Sequence, residues 1–114
     1  HLPLAIKVIE NWGFSYKNII TWVKTRMGMG YWYRQCCEYL IFAVKGRMRL
    51  KTRNTKNFFI AKGHKHSQKP EESYKLIEQN SYSPFLELFA RKKRENWDSW
   101  GDEIESDISI ILKI

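Results

Sequence analysis

The sequence predicts an α/β fold, in which helices pack against a sheet. A helical pattern at residues 2–11 runs through a glycine into an apolar segment that is typical of a strand at 14–24. A second helical pattern after Pro70 is again followed by a short apolar strand, at 85–90. Helices that alternate with apolar strands in this order favour the α/β class.

The first helix and strand have clear boundary signals. Pro3 fits the first turn of a helix, and Gly13 is a typical residue just past a helix end. The β-branched and aromatic residues from Ile19 to Val23 then indicate the strand.

The middle of the chain contains an apolar strand at residues 37–44 and a shorter one at 57–61. Between them, cations alternate with uncharged residues. An extended ribbon would place all of these cations on one face, whereas in a loop their spacing would be accidental. We expect an extended ribbon or arm, and its cations are Lys45, Arg47, Arg49, Lys51 and Arg53.

The last third of the chain begins with the clearest helix, where Pro70 occupies the first turn and two glutamates lie at the positive end of the helix dipole. After the strand at 85–90, residues 97–101 indicate an aromatic turn. Residues 104–114 indicate a terminal strand, because Ile108, Ile110 and Leu112 occupy alternate positions there.

Charge divides the chain into a basic and an acidic part. The 114 residues have a net charge of +8, but residues 1–69 contain fourteen Lys/Arg and two acids, whereas residues 70–114 contain six Lys/Arg and ten acids. A basic part of this kind favours a polyanionic partner such as nucleic acid. A solvated basic face is the alternative explanation.

Several absences restrict the class of protein. No apolar run approaches the roughly 18 residues of a membrane span, and no signal peptide is recognisable. Cys36 and Cys37 are adjacent, which makes a bridge between them awkward. We therefore expect an intracellular, cytoplasmic protein. The chain begins with His1 rather than methionine, which favours a fragment or a processed chain.

Ordered motifs along almost the whole chain resemble one family, the N(6)-adenine methyltransferases of the MT-A type, which include the eukaryotic mRNA adenosine methyltransferase and many phage and bacterial DNA relatives. The motifs are Trp12-Gly13-Phe14, Trp22-Val23-Lys24, Gly30-Tyr31-Trp32-Tyr33-Arg34, His66-Ser67-Gln68-Lys69-Pro70, Glu87-Leu88-Phe89-Ala90-Arg91 and Trp100-Gly101-Asp102-Glu103.

This resemblance implies a Rossmann-like methyltransferase fold that uses S-adenosylmethionine, and the chain would be the C-terminal portion of that single domain. It also implies a catalytic Asp-Pro-Pro-Trp motif upstream of His1. The three prolines of the chain form no such motif, so the resemblance implies truncation at the N-terminus and no catalytic residue within the chain. Residues 1–69 would face the substrate, and residues 70–114 the cofactor.

The resemblance also implies two sets of binding residues. Those near the cofactor would be Lys69, Leu88, Phe89, Arg91, Lys93, Asp102 and Glu103. Those near the nucleic acid would be Lys24, Arg26, Tyr31, Trp32, Arg34, Glu38, Lys45, Arg47 and Arg49.

For several of these residues the sequence leaves a structural alternative open. Glu38 would accept a hydrogen bond from the adenine amine, or it would form a local salt bridge with Arg34. Tyr31 and Trp32 would stack on bases, or they would be core aromatics. His64 and His66 have no nearby acid or thiol, so we predict no metal site.

Three functions remain possible at this point, and one of them is a plain basic module that binds nucleic acid in a salt-dependent way. The other two follow from the family resemblance. The first is a segment of an enzyme that methylates adenine in nucleic acid, with DNA favoured over RNA because the compact loops resemble those of phage and bacterial members. The second is an inactive subunit that binds nucleic acid for an active partner. We expect either a dimer or an N-terminal half that lies outside this chain.

Overall fold

The computed structural model describes residues 1–26, 28, 30, 32–63, 69–101 and 104–107. They form two compact units, His1–Ser81 and Tyr82–Ile114. The two helices and five strands found among them confirm the α/β class. We predict no metal site at His64 and His66, and both residues lie outside the described part of the chain.

The elements follow each other along the chain in the order α, β, β, β, α, β, β. Their bounds are α1 Leu2–Asn11, β1 Ser15–Lys24, β2 Cys37–Val44, β3 Phe58–Ala61, α2 Glu71–Asn80, β4 Phe85–Leu88 and β5 Trp97–Trp100. No helix in the described part of the chain has the length and apolar character needed to cross a bilayer.

The first unit contains a mixed sheet with the strand order β2-β1-β3. The central strand β1 pairs antiparallel with β2 and parallel with β3. Its Trp22 lies opposite Glu38 on one side and Phe59 on the other. The indole is 2% exposed, stacks on Phe59 and donates a hydrogen bond of 2.8 Å from Nε1 to the carbonyl oxygen of Ala61. This side chain is therefore the centre of the small core.

The connection between α1 and β1 lies at Gly13, where the sequence predicts the helix end. Gly13 has a φ of +87°, which is strained for an L side chain, and the amide of Phe14 donates back to the carbonyl of Ile9 at 3.1 Å. The chain thus reverses at a glycine between α1 and β1.

Helix α2 starts directly after Pro70, which is its N-cap and is fully buried. Tyr74 is the buried apolar residue of the helix, and Leu76 and Ile77 line a cavity of about 210 Å³. Sheet residues contribute other walls of this cavity, among them Ile20, Leu40 and Phe42.

The second unit contains the parallel pair β4-β5. Phe85 stacks on Trp97 with 5.1 Å between ring centroids. The prediction of an aromatic turn at residues 97–101 is wrong, because Trp97–Trp100 is a strand. A four-residue segment that includes Asp98 has too little apolar alternation to be recognised without its partner strand.

The extended basic ribbon is also a wrong prediction. Residues 45–57, which we name the basic loop, form no strand. Gly46 has a φ of +87°, so the chain turns away from β2 directly after Val44. Of the predicted terminal strand, residues 104–107 form no regular element and residues 108–114 lie outside the described part.

Candidate functional site

Three predicted site residues come together at one end of the sheet. Lys24 at the end of β1 forms an ion pair with Glu38 on β2, with 2.5 Å between Nζ and Oε2. Lys69, just before α2, approaches the other carboxylate oxygen at 3.4 Å. The register explains the first contact, because Trp22 pairs with Glu38 and Lys24 follows two residues later on the same face. We name Lys24, Glu38 and Lys69 the acid–lysine cluster.

The cluster keeps Glu38 ionised. Partial burial raises the pKa of this carboxyl, but the hydrogen bond from Lys24 and the charges of both lysines outweigh burial, so that the pKa lies below its ordinary value. An ionised carboxylate only accepts hydrogen bonds. The cluster can therefore bind an amine or another donor at Glu38 and an anion at its lysines.

The lowered pKa of Glu38 predicts a pH dependence of stability. Its contribution is present above the unfolded-state pKa of about 4.3 and is lost as the pH falls through the lower folded-state value. Glu38→Gln should therefore be less stable than the unsubstituted protein at pH 7, and its stability should fall less steeply in acid. The difference should stay below about 1 kcal/mol, because the side chain is 40% exposed. Urea unfolding between about pH 7 and pH 3 measures it.

A matched control for this prediction is Glu10→Gln, which removes an exposed carboxylate from α1. If the free energy of unfolding falls equally steeply with pH in Glu38→Gln and in the unsubstituted protein, the role assigned to the two lysines is contradicted.

The loop between β1 and β2 exposes cations and aromatic rings. Trp32 is 93% exposed, so the alternative that it belongs to the core is wrong. Arg26 and Arg34 are exposed as well, whereas Tyr31 lies outside the described residues. An exposed indole and two exposed guanidinium groups in one loop are suited to stacking on a base and contacting phosphates.

The basic loop exposes all of its cations, including the predicted substrate residues Lys45, Arg47 and Arg49. The ammonium of Lys45 lies 5.7 Å from the centroid of the Phe14 ring. A similar contact places Lys56 at 5.9 Å from the ring of Phe58. These cation–aromatic contacts hold two of the charges near the sheet.

In the second unit, three of the predicted cofactor residues lie at the end of β4 or directly after it. Leu88 ends the strand, and Phe89 follows with a φ of +59°, which turns the chain out of the sheet. The Phe89 ring is 76% exposed and meets Trp100 edge to face at 5.1 Å. Arg91 is exposed two residues later. Leu88, Phe89 and Arg91 thus lie within four consecutive residues at the carboxyl end of a parallel strand, and they provide an aliphatic side chain, an exposed ring and a guanidinium.

Lys93 has a partner within the unit. Its Nζ lies 2.9 Å from Oδ1 of Asp107, and the other oxygen of Asp107 accepts from the amide of Ser99 at 3.0 Å. The hydrogen bond from Lys93 and that from Ser99 lower the pKa of Asp107. Asp107, which follows β5, therefore bonds both to Lys93 in the loop after β4 and to Ser99 on β5. The predicted residues Asp102 and Glu103 lie outside the described part.

The sequence does not identify two important residues. Asp107 falls within the predicted terminal strand, and Asn80 is not among the predicted site residues. Asn80 is 3% exposed and accepts hydrogen bonds from two threonine hydroxyls of the basic loop. An amide directly after a helical pattern signals a helix end, but the sequence does not indicate which distant hydroxyls it will bind.

Comparison with known proteins identifies related chains across nearly the full sequence. A protein of Medicago truncatula named as a putative N(6)-adenosine-methyltransferase MT-A70-like is 28% identical over 90% of this chain and 19% of its own length. The corresponding Arabidopsis thaliana protein is also 28% identical, over 90% of this chain and 17% of its own length. Type II methyltransferase M.MunI from Mycoplasma sp is 32% identical over 88% of this chain and 45% of its own length.

The chain thus spans about a fifth of the length of these plant relatives and less than half of the Mycoplasma protein. The family model described as MT-A70 matches residues 2–103, a range that contains both the acid–lysine cluster and the end of β4. On the strength of that match, the chain belongs to the MT-A70 family.

Proposed function

We propose that the protein containing this chain is an S-adenosylmethionine-dependent methyltransferase that modifies the exocyclic N(6) amine of adenine in nucleic acid. The observation that carries the proposal is the acid–lysine cluster, in which an ionised Glu38 lies between two lysines at an exposed end of the sheet. Family membership over residues 2–103 supplies the reaction class. The Rossmann-like fold of the whole domain is part of the same proposal.

Glu38 is proposed to orient the target base. The adenine amine is a poor nucleophile, and positive charge develops on it as the new bond forms. A carboxylate that accepts a hydrogen bond from this amine stabilises that charge and fixes its direction. Lys24 and Lys69 keep the carboxylate ionised and hold it in place, and they add positive charge for a phosphate group.

The end of β4 is suited to S-adenosylmethionine, which supplies the methyl group when bound. Its exposed Phe89 ring and Leu88 side chain provide apolar contact, and Arg91 provides a cation for a carboxylate. Lys93 takes part through its ion pair with Asp107, which shapes the loop that contains Arg91. Asp102 and Glu103 are proposed as cofactor residues on the family resemblance alone.

Nucleic acid is proposed to bind along the exposed cations of the first unit. Arg26, Trp32 and Arg34 are suited to a base and its flanking phosphates, and the basic loop to the neighbouring backbone. We favour DNA over RNA because the loops are compact, as in phage and bacterial members of the family. A target adenine within a duplex has to leave the base stack before it can react.

The test is methyl transfer by the protein that contains this chain, using radiolabelled S-adenosylmethionine and DNA or RNA oligonucleotides with a single adenine. Glu38→Ala should lower turnover by about 10²-fold, the size typical when one preorganised hydrogen-bond partner of a transition state is removed. Glu10→Ala on α1 is the matched control and should retain activity. Residues 1–114 alone should transfer no methyl group.

The outcomes separate the two functions. Incorporation into DNA above RNA supports the proposal as stated. Binding of an oligonucleotide without incorporation, in a protein that is fully folded, identifies an inactive nucleic-acid-binding subunit instead. Full activity of Glu38→Ala would remove Glu38 from the mechanism.

A further inference from the structure

A single buried amide holds the basic loop against helix α2. The Oδ1 atom of Asn80 accepts hydrogen bonds from the hydroxyls of Thr52 at 2.5 Å and Thr55 at 2.8 Å. The backbone carbonyl of Asn80 accepts from the amide of Lys51 at 2.8 Å. Three donors within five residues of the loop therefore converge on one residue at the end of α2. We name these contacts of Asn80 the loop latch.

The amide nitrogen of Asn80, Nδ2, fixes the orientation of the side chain. Its Nδ2 donates to the carbonyl of Leu76 at 2.8 Å, one helical turn earlier. The reversed amide would place its oxygen against the Leu76 carbonyl, where no hydrogen bond can form. The threonine hydroxyls can donate or accept, so the Leu76 carbonyl fixes the orientation. Because Asn80 is 3% exposed, water does not replace these bonds easily.

The loop needs such an anchor because of its charge. Residues 45–57 contain six Lys/Arg and no acid, so mutual repulsion favours an open conformation. The loop also forms no strand, and its backbone bond to β1 lies at its end, where the carbonyl of Asn57 accepts from the amide of Thr21 at 2.9 Å. Besides the latch, Leu50 and Thr55 line the cavity beneath the loop, opposite Ile77 of α2.

We propose that Asn80 is a positioning residue for nucleic-acid binding, which fixes the basic loop in the shape that contacts the phosphate backbone. This inference rests on the proposed function, since it concerns how the same protein binds its substrate. The latched stretch, residues 51–55, contains Lys51 and Arg53, and Lys56 follows it directly; all three are exposed. A loop that is already ordered loses less conformational entropy on binding than a free one, so its cations bind phosphates more tightly.

The latch is best tested at the threonines, because substitution of Asn80 itself also removes its bond to the helix. Thr52→Val with Thr55→Val deletes both hydroxyls at nearly constant volume. Thr52→Ser with Thr55→Ser is the matched control, because it retains them. The probe is a fluorescently labelled DNA duplex, titrated with the full protein at several salt concentrations.

The valine pair should bind the duplex about 10-fold more weakly near 0.1 M salt, and the slope of log K against log salt should become shallower by about 1 to 2, because fewer phosphates are neutralised. The serine pair should stay within about 2-fold of the unsubstituted protein and keep its slope. A general loss of folded protein lowers apparent affinity without changing the slope, so the slope separates positioning from stability.

Hydrogen exchange provides a measurement that does not depend on nucleic acid. The Lys51 amide should exchange faster in the valine pair than in the serine pair, because the two threonine bonds to Asn80 keep Lys51 close to the Asn80 carbonyl. If the unsubstituted protein binds the duplex and the valine pair keeps the same slope of log K against log salt, the positioning role of Asn80 is wrong, and the proposed function is unaffected. Failure of the unsubstituted protein to bind the duplex removes the nucleic-acid part of the proposed function as well.

Discussion

Trp22→Ala is expected to destabilise the protein by about 3–5 kcal/mol, the range for truncating a buried aromatic side chain to alanine. Trp22 is 2% exposed on the central strand of the three-stranded sheet, where it stacks on Phe59 and bonds to the carbonyl of Ala61. Native proteins are stable by only about 5–15 kcal/mol, so this loss should unfold much of the population near physiological temperature. Urea unfolding followed by circular dichroism measures it.

Two variants control for the size and position of the ring. Trp22→Phe keeps a ring that can stack but removes the Nε1 donor, so its loss should be about 1–3 kcal/mol, the cost of an unpaired buried acceptor together with lost contact area. Trp12→Ala should change stability by less than about 0.5 kcal/mol, because Trp12 is 67% exposed. A loss below about 1 kcal/mol in Trp22→Ala would show that the sheet core does not depend on this indole.

The second large effect is expected for Gly101→Ala. A Cβ at this position would overlap the carbonyl oxygen of Ala90 and lie 3.0 Å from its nitrogen. The Ala90 amide bonds to the carbonyl of Trp100 at 2.9 Å, so the two segments cannot separate without breaking that bond. We expect a loss of about 3 kcal/mol or more, and faster hydrogen exchange in β4 and β5.

Gly46→Ala is the matched comparison, because it separates steric contact from backbone strain. Gly46 has a φ of +87°, and a Cβ added there would meet no atom within 4 Å, so only the backbone conformation opposes the substitution. Its expected loss is about 1 kcal/mol. If both variants lose the same amount, the close approach between Gly101 and Ala90 is not the reason for the glycine.

Local signals explain why much of the fold was predictable. The helix at residues 2–11, the strand at 37–44 and the helix after Pro70 each contain a regular apolar pattern and a boundary residue, and all three are present. The strand at residues 97–100 was missed because it depends on pairing with β4. The basic ribbon is a wrong prediction because the residues between its cations include only two apolar side chains, Met48 and Leu50, so alternation alone does not make a strand.

For the candidate site, the sequence predicts the residues but not which of them contact each other. The sequence identified Lys24, Glu38 and Lys69 separately, and for Glu38 it left open a hydrogen bond with the adenine amine or a local salt bridge with Arg34. The strand register brings Lys24 to Glu38, and the start of α2 brings Lys69. Register is a non-local property, so the contacts of a carboxylate are less predictable than its presence.

The strand arrangement has a practical consequence for work on the isolated chain. Within the described residues, β1 is the one strand with a neighbour on both sides, while β2, β3, β4 and β5 are edge strands. Edge strands present unpaired backbone amides and carbonyls, which act as templates for intermolecular pairing. Exposed Tyr39, Phe58 and Ile60 add apolar surface at two of these edges. The chain expressed alone should therefore self-associate as its concentration rises, and spectroscopy requires dilute samples.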